Sequence, residues 1–458
     1  MNSIIKNISL ICSCIVGIFL MLSCSDFLDA KQNYSQSDGT QLSDLQAILD
    51  DAEYMNKRSA SLPEAASDDY FLPENNYSKL TQVGKEAYRW ELRNYTFPND
   101  WANLYLQVYN ANLCLEGLDK IVDKKTDIGI RNRIYGSAHF YRGYAYLALV
   151  TTFCKAYREE EASNDLGIVL REISDFNVNT SRSNLKASYK KIIDDLNIAV
   201  AYLSNRVEIP LRPSKAAAYA ALARTYLSMR NYHRAELYAD SALMLHSEVM
   251  DFNDPNLKLG SNLPFANKYN PEVVFYSAVG TYSISTAHPM YARIEKELYE
   301  SYEANDLRKQ AYFLPLADGY RFKGMYSENT NFCFTGITTA ELLFIKAECR
   351  ARDKDIKATT DAIKLILQKR YKNGVYNLTQ GLNQDNVLSW VLQERRKELL
   401  MRGIRYSDLK RLNVEGAEIK LSRFVGGIQY SLLPNDARYA QPLPVDAVRL
   451  GGLEQNPY

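Results

Sequence analysis

The chain is 458 residues long, with 46% hydrophobic and 24% charged residues, the make-up of a folded protein rather than a disordered one. Its 55 Lys and Arg nearly cancel its 54 Asp and Glu, so no global field favours nucleic acid or an anionic membrane surface. Seven cysteines without a CxxC spacing and four scattered histidines, His139, His233, His246 and His288, argue against a zinc site.

At the N-terminus, Lys6 and the apolar run Ile8–Leu22 read as a secretory signal, because the run is shorter than the roughly 20 residues a membrane-spanning helix needs. Leu20-Met21-Leu22-Ser23-Cys24 resembles the bacterial lipobox. That resemblance implies a signal peptide at 1–23, cleavage before Cys24, and a lipid anchor on Cys24. The remainder, 24–458, shows no linker that would separate independent units and is read as a single domain. It starts with a polar tether through about Gln32–Gly39. Cys114, Cys154, Cys333 and Cys349 are expected as buried free thiols, although an extracytoplasmic address would permit disulfides.

Helical spacing appears at Leu42–Met55 and lapses near 68–100 into Pro, Asn and aromatic residues. A long aromatic loop of this kind is more often functional than idle. Helical periodicity returns at Trp101–Ile121, Ile134–Phe153, Leu185–Leu203, Ser214–Met229 and Tyr232–Leu245. In the last two, Tyr219, Leu222, Ala223, Tyr226, Tyr232, Ala235 and Ala242 stand at tetratricopeptide spacings, where small alanines let two helices approach. Such a pair must stack on others, and Ile134–Phe153 and Thr338–Lys369 offer degenerate partners. A second excursion near 250–337 contains a predicted strand at Glu272–Ala278 and a helix at about Tyr291–Ala304. One last helix is predicted over Val387–Leu412, before a coil-rich end. The fold class is therefore mainly α: a helical scaffold with tetratricopeptide-like pairs and long irregular excursions.

The chemistry of catalysis is not evident. There is no P-loop, no GxGxxG before a helix, and no GxSxG elbow. The carboxylate runs Asp68-Asp69, Asp194-Asp195 and Glu159-Glu160-Glu161 read as solvated, and Glu394-Arg395-Arg396-Lys397-Glu398 as a self-paired helix face. No cofactor is expected. The outlier is tyrosine, 34 residues against 16 Phe and 3 Trp. Tyrosine rings offer apolar faces to sugar C–H groups while their hydroxyls hydrogen-bond, although more than half of them are expected in helix seams. The excursions therefore supply the candidate ligand-binding residues: Asp69, Tyr70, Tyr77 and Trp90 early, Tyr269 and Tyr282 later. Trp101 and Trp390 are read as helix-packing residues.

Several segments, in collinear order, resemble the SusD/RagB family of surface nutrient-binding lipoproteins. They include Trp101-x3-Tyr105, Ala138-His139-Phe140-Tyr141-Arg142-Gly143-Tyr144, Asn305-Asp306-Leu307-Arg308, and Ala340-Glu341-x5-Ala347-Glu348. Most weight falls on Glu394–Leu399 with Gly403-Ile404-Arg405-Tyr406-x-Asp408-Leu409-Lys410-Arg411, and on Gln441-Pro442-Leu443-Pro444 with the ending Gln455-Asn456-Pro457-Tyr458. The chain departs from the family at Met401-Arg402, where an aromatic and a glutamate are common, and at Thr152–Cys154, which lacks a usual glycine. The resemblance implies a lipoprotein of the outer membrane, facing outward, that binds an oligosaccharide or a peptide without a catalytic step. It also implies a SusC-like TonB-dependent transporter as partner. A tetratricopeptide-type assembly scaffold that binds only proteins is the alternative.

Overall fold

The computed structural model describes residues 41–121, 127–178, 180–279, 287–288, 290–327, 333–376 and 381–458. Cys24 and Tyr282 lie outside the described residues. The longer helices are α1 (Leu42–Asp50), α2 (Asp100–Lys120), α3 (Ile128–Phe153), α4 (Leu185–Tyr202) and α5 (Lys215–Ser228). After them come α6 (Tyr232–Leu245), α7 (Thr339–Arg352), α8 (Ile356–Arg370), α9 (Val387–Glu398) and α10 (Arg405–Val414).

Local chemistry sets where many of these helices begin. Asn99, Asn184, Ser214, Asn231, Thr338 and Asp355 each precede a helix, and each side chain accepts from the backbone N–H three residues on. Each such cap contributes about 1 kcal/mol by satisfying a donor the helix cannot. The helices then stack along the chain, each on the next from α2 to α6, α6 on α7, and α7 on α8. Small residues allow the close approaches. Ala223 in α5 and Ala235, Ala239 and Ala242 in α6 are fully buried, and Tyr226 stacks on Tyr238 with ring centres 5.4 Å apart. Between α3 and α4, a Cβ on Gly143 would sit 3.1 Å from Leu196 Cγ, so a larger residue would force the helices apart.

The two excursions meet in a second apolar core. Tyr70–Phe71, Arg293–Ile294, Gly319–Phe322 and Phe313–Leu316 form a four-stranded antiparallel sheet in that spatial order, with Tyr70 opposite Ile294. Tyr70, Ile294, Phe313 and Phe322 are buried in this core with Tyr302, Tyr312 and Tyr326.

The structure corrects several readings. The helix expected over Tyr291–Ala304 is a strand, Arg293–Ile294, followed by a short helix, Lys296–Glu300, because Ile294 is claimed by the sheet. Val387–Leu412 is two helices. The break carries Met401 (φ 58°) and Gly403 (φ 74°), and the Gly403 N–H donates to Glu64 Oε2 at 2.8 Å instead of to a helical carbonyl. Leu42–Met55 breaks at Asp51, whose carboxylate caps the short helix Ala52–Met55. The predicted strand over Glu272–Ala278 divides into Val273–Phe275 and Ala278–Val279, which pair with different partners.

Of the charge runs, Glu159-Glu160-Glu161 is exposed as read, whereas Asp69, Asp195, Glu394 and Glu398 are buried. Arg308 is fully buried between Asp306 (2.7 Å), Glu394 (2.8 Å) and Glu398 (3.3 Å), and Arg370 between Glu272 and Glu398 (2.8 Å). Asp195 is likewise buried, held by Arg142 at 2.7 Å and His139 at 2.8 Å. Burial would raise its pKa, but the bonds from Arg142 and His139 hold it below the usual range. The four cysteines in the described residues are buried free thiols, and Trp101 is buried against Phe153, while Trp390 of α9 is half-buried against the core shared by α7, α8 and α9.

Candidate functional site

The early excursion turns its aromatic side chains inward. Arg423 reaches into it from the hairpin formed by Leu421–Val425 and Ile428–Leu432. Its guanidinium lies 3.9 Å from the Tyr88 ring centre, 4.5 Å from Trp90 and 5.1 Å from Tyr70, and it donates to the carbonyls of Ala65 (3.0 Å) and Ser67 (2.6 Å). Trp90 Nε1 donates to Ala66 O at 3.0 Å, and Tyr70 Oη to Ala65 O at 2.8 Å. Tyr77 is buried against Tyr88, with ring centres 5.8 Å apart. Asp69 is buried and accepts from Arg396 Nε at 2.9 Å, while Asp68 pairs with Arg405 at 2.7 Å. Burial and then Arg405 act in opposite senses on Asp68, and the arginine prevails, holding it at about 2. Tyr70 and Trp90, 1% and 4% exposed, have no free face on which a sugar can lie. Polar loop composition concealed this, because the burying partner, Arg423, is more than 300 residues away in sequence.

Of the later residues, Tyr269 is half-buried with its ring edge-on to Tyr276 at 5.9 Å. One aromatic pair that the structure leaves partly accessible was not singled out from the sequence. Tyr299 in the short helix Lys296–Glu300 and Tyr320 in the strand Gly319–Phe322 lie parallel, with ring centres 3.5 Å apart at 12°. They line an open cleft of ≈ 720 Å³ with Asn305, Lys309, Gln310 and Pro315. Phe313 stands edge-on to Tyr299 at 5.2 Å and fixes it, and Lys309 Nζ sits 4.5 Å from its centre. Burial and the adjoining Tyr320 hydroxyl push the Tyr299 phenol up to about 12, so it stays a neutral donor and acceptor. Asp306, the lining carboxylate, is tied to Arg308. The cleft thus joins ring surface, phenol, amide and ammonium groups, the set that grips a polyhydroxylated ring. Both tyrosines are half-buried, and the 21-residue separation of helix and strand hides their stacking from any local pattern.

A second surface is apolar. Trp101, Tyr105, Tyr109, Ile173, Phe176 and Leu453 line a groove of ≈ 350 Å³, in which Phe176 is 74% exposed. Among the described residues, no group of His, Cys, Asp and Glu is placed to hold a metal ion, and no helix is long and apolar enough to cross a membrane.

Comparison with known proteins accounts for this architecture. A family model described as starch-binding and associating with the outer membrane matches residues 26–227, and one described as the SusD family matches residues 318–458. Over 474 residues the chain is 22% identical to SusD-like protein P2 of Formosa agariphila, covering 87% of this chain and 90% of that relative. The fold is similar to that of a SusD superfamily protein of Bacteroides thetaiotaomicron, with a TM-score of 0.75 at 16% identity over 91% of this chain and 100% of the other. It is also similar to that of a laminarin-binding SusD-like protein, with a TM-score of 0.63 at 17% identity over 90% and 97%. Two family matches in order along one chain, a relative that spans most of it, and the stacked helix pairs with their sheet-bearing excursions agree: the chain belongs to the SusD/RagB family.

Proposed function

We propose that this protein is a lipid-anchored binding protein on the outer face of the outer membrane. In this reading it captures an oligosaccharide in the Tyr299–Tyr320 cleft and hands it to a SusC-like TonB-dependent transporter, with no catalytic step. The observation that carries the reading is the parallel tyrosine pair, braced by Phe313 and flanked by Lys309, Gln310 and Asn305 on an open surface. The laminarin-binding relative and the starch-binding description of the family support a glycan over a peptide. Tyr269 and Tyr282 belong to the same excursion and are proposed as further contacts. Asp69, Tyr70, Tyr77 and Trp90 would then act on binding through the sheet and loop they hold in place. The apolar groove at Phe176 is the proposed contact for the transporter, since exposed apolar patches mark protein partners.

Calorimetric titration with laminarin and starch oligosaccharides tests the cleft. Tyr320→Ala and Tyr299→Ala should each weaken binding about fivefold or more, roughly 1 kcal/mol, with little change in melting temperature. Full affinity in both variants would move the site elsewhere. Indifference of the wild type to every glycan and peptide would favour the assembly-scaffold alternative.

A further inference from the structure

Where α3, α5 and the α9–α10 connection converge lies a cavity of ≈ 70 Å³. Arg224, Arg395, Arg402 and Arg411 line it, and the carboxylate of Asp408 is the acidic group among the lining residues. Glu341 holds Arg224 with two bonds, at 2.8 and 2.7 Å, and so neutralises it. Asp408 is shared between Arg395 Nε (3.0 Å) and Arg411 Nε (2.8 Å), and Glu348 between Arg411 (2.7 Å) and Arg352 (2.9 Å).

Two guanidinium groups remain short of partners. Arg395 is 3% exposed, and among the described residues no protein acceptor meets its buried Nη1. Arg402 is 5% exposed, and among the described residues no carboxylate lies within 4.0 Å of it. It donates to Gly324 O at a long 3.4 Å, and its guanidinium is 3.8 Å from the Tyr326 ring centre and 5.0 Å from that of Phe334. The nearby acid, Glu64, accepts from the Gly403 N–H, and burial and Asp69 push it up to about 7, so near neutral pH it offsets only part of this charge. Ser59, Thr335 and Ser407 also line the cavity, with the apolar Pro63, Leu147 and Leu227.

A buried cation without a counter-charge is costly, and water can satisfy an N–H without supplying that charge. We propose that this cavity is a binding site for a small anion, of halide or acetate size, held between Arg395 and Arg402. The site is independent of the glycan cleft and stands whether or not that assignment holds.

The test uses bromide as probe. Crystals of the wild-type protein soaked in sodium bromide should show an anomalous peak in the cavity beside Arg395, and the absence of that peak overturns the proposal. In solution, at fixed ionic strength, sodium chloride and sodium acetate should raise the melting temperature by about 1–3 °C over sodium gluconate, whose anion is too large to enter. Arg402→Met removes the charge and Arg402→Glu supplies an internal carboxylate, so both should lose this increment. Equal melting of the wild type in the three salts would also count against the site. The diffraction measurement decides the matter even where a variant does not fold.

Discussion

Trp90 adopts φ 58°, a left-handed conformation uncommon for a non-glycine residue, and it does so to place its indole against the Arg423 guanidinium with Nε1 on Ala66 O. Removing the ring opens a cavity beside a buried cation. Trp90→Ala should therefore cost about 3–5 kcal/mol in chemical denaturation, and an unchanged midpoint would show that the ring is dispensable. Glu64 gives a prediction of opposite character. Burial, then Asp69, raise it from 4.5 to about 7, so between these values the unfolded chain releases a proton the folded chain keeps. Its contribution is fully present below about pH 4.5 and declines as pH rises through 7. Glu64→Gln, which cannot ionise, should gain on the wild type by about 1–3 kcal/mol between pH 5 and 8; parallel stability curves would refute the assignment. Asp408 runs the other way. Burial opposes its ionisation, but Arg395 and Arg411 hold it at about 2, so its contribution is present above 3.8 and lost as pH falls through 2.

At the scale of elements, the α5–α6 pair depends on alanine. The two helices pack on each other, and Ala223 in α5 and Ala235 in α6 are fully buried, so a leucine at either position must displace its neighbours. Ala223→Leu and Ala235→Leu should each cost about 1–3 kcal/mol through overpacking. Thermal melts read the effect, and wild-type stability in both variants would place these alanines outside a close helix contact. The break between α9 and α10 is of a different kind. Met401 and Gly403 take positive φ, which turns the chain and brings the charged residues of both helices to one buried region. There Glu394 and Glu398 meet Arg308 from the later excursion, and Asp408 joins Arg395 to Arg411. The late charged signatures therefore join the helical stack to the excursions rather than coat a surface.

For the whole molecule, the stack of helices acts as a platform and the excursions form a second core upon it, whose sheet edge carries the Tyr299–Tyr320 cleft. Anchoring by Cys24 would tether this platform at one end through acyl chains, several of which bind a membrane far more firmly than one. Cys24→Ala should yield a protein that is not acylated and that washes off membranes, and fatty-acid labelling that persists in the variant would dismiss the lipobox.

Helix identity was legible in the sequence because it rests on local rules. Apolar residues at a 3.6-residue period and alanines at tetratricopeptide spacing predicted α2, α4, α5 and α6 to within a residue or two, and the collinear motifs identified the family. Tertiary structure alone decided what the polar and aromatic residues do. Trp90 and Tyr70 carry the composition of a binding loop, yet Arg423, a distant residue in the chain, draws them into the interior. Tyr299 and Tyr320 are unremarkable in sequence and become a platform because a short helix is folded against a sheet. Glu394 to Glu398 read as a self-paired helix face, and Lys397 does meet Glu394, but Arg308 and Arg370 come from elsewhere in the chain to neutralise the two glutamates. A hydrophobic period reports which face of its own element is buried, but the exposure of a ring or a charge depends on residues hundreds of positions away, and no local pattern carries that information.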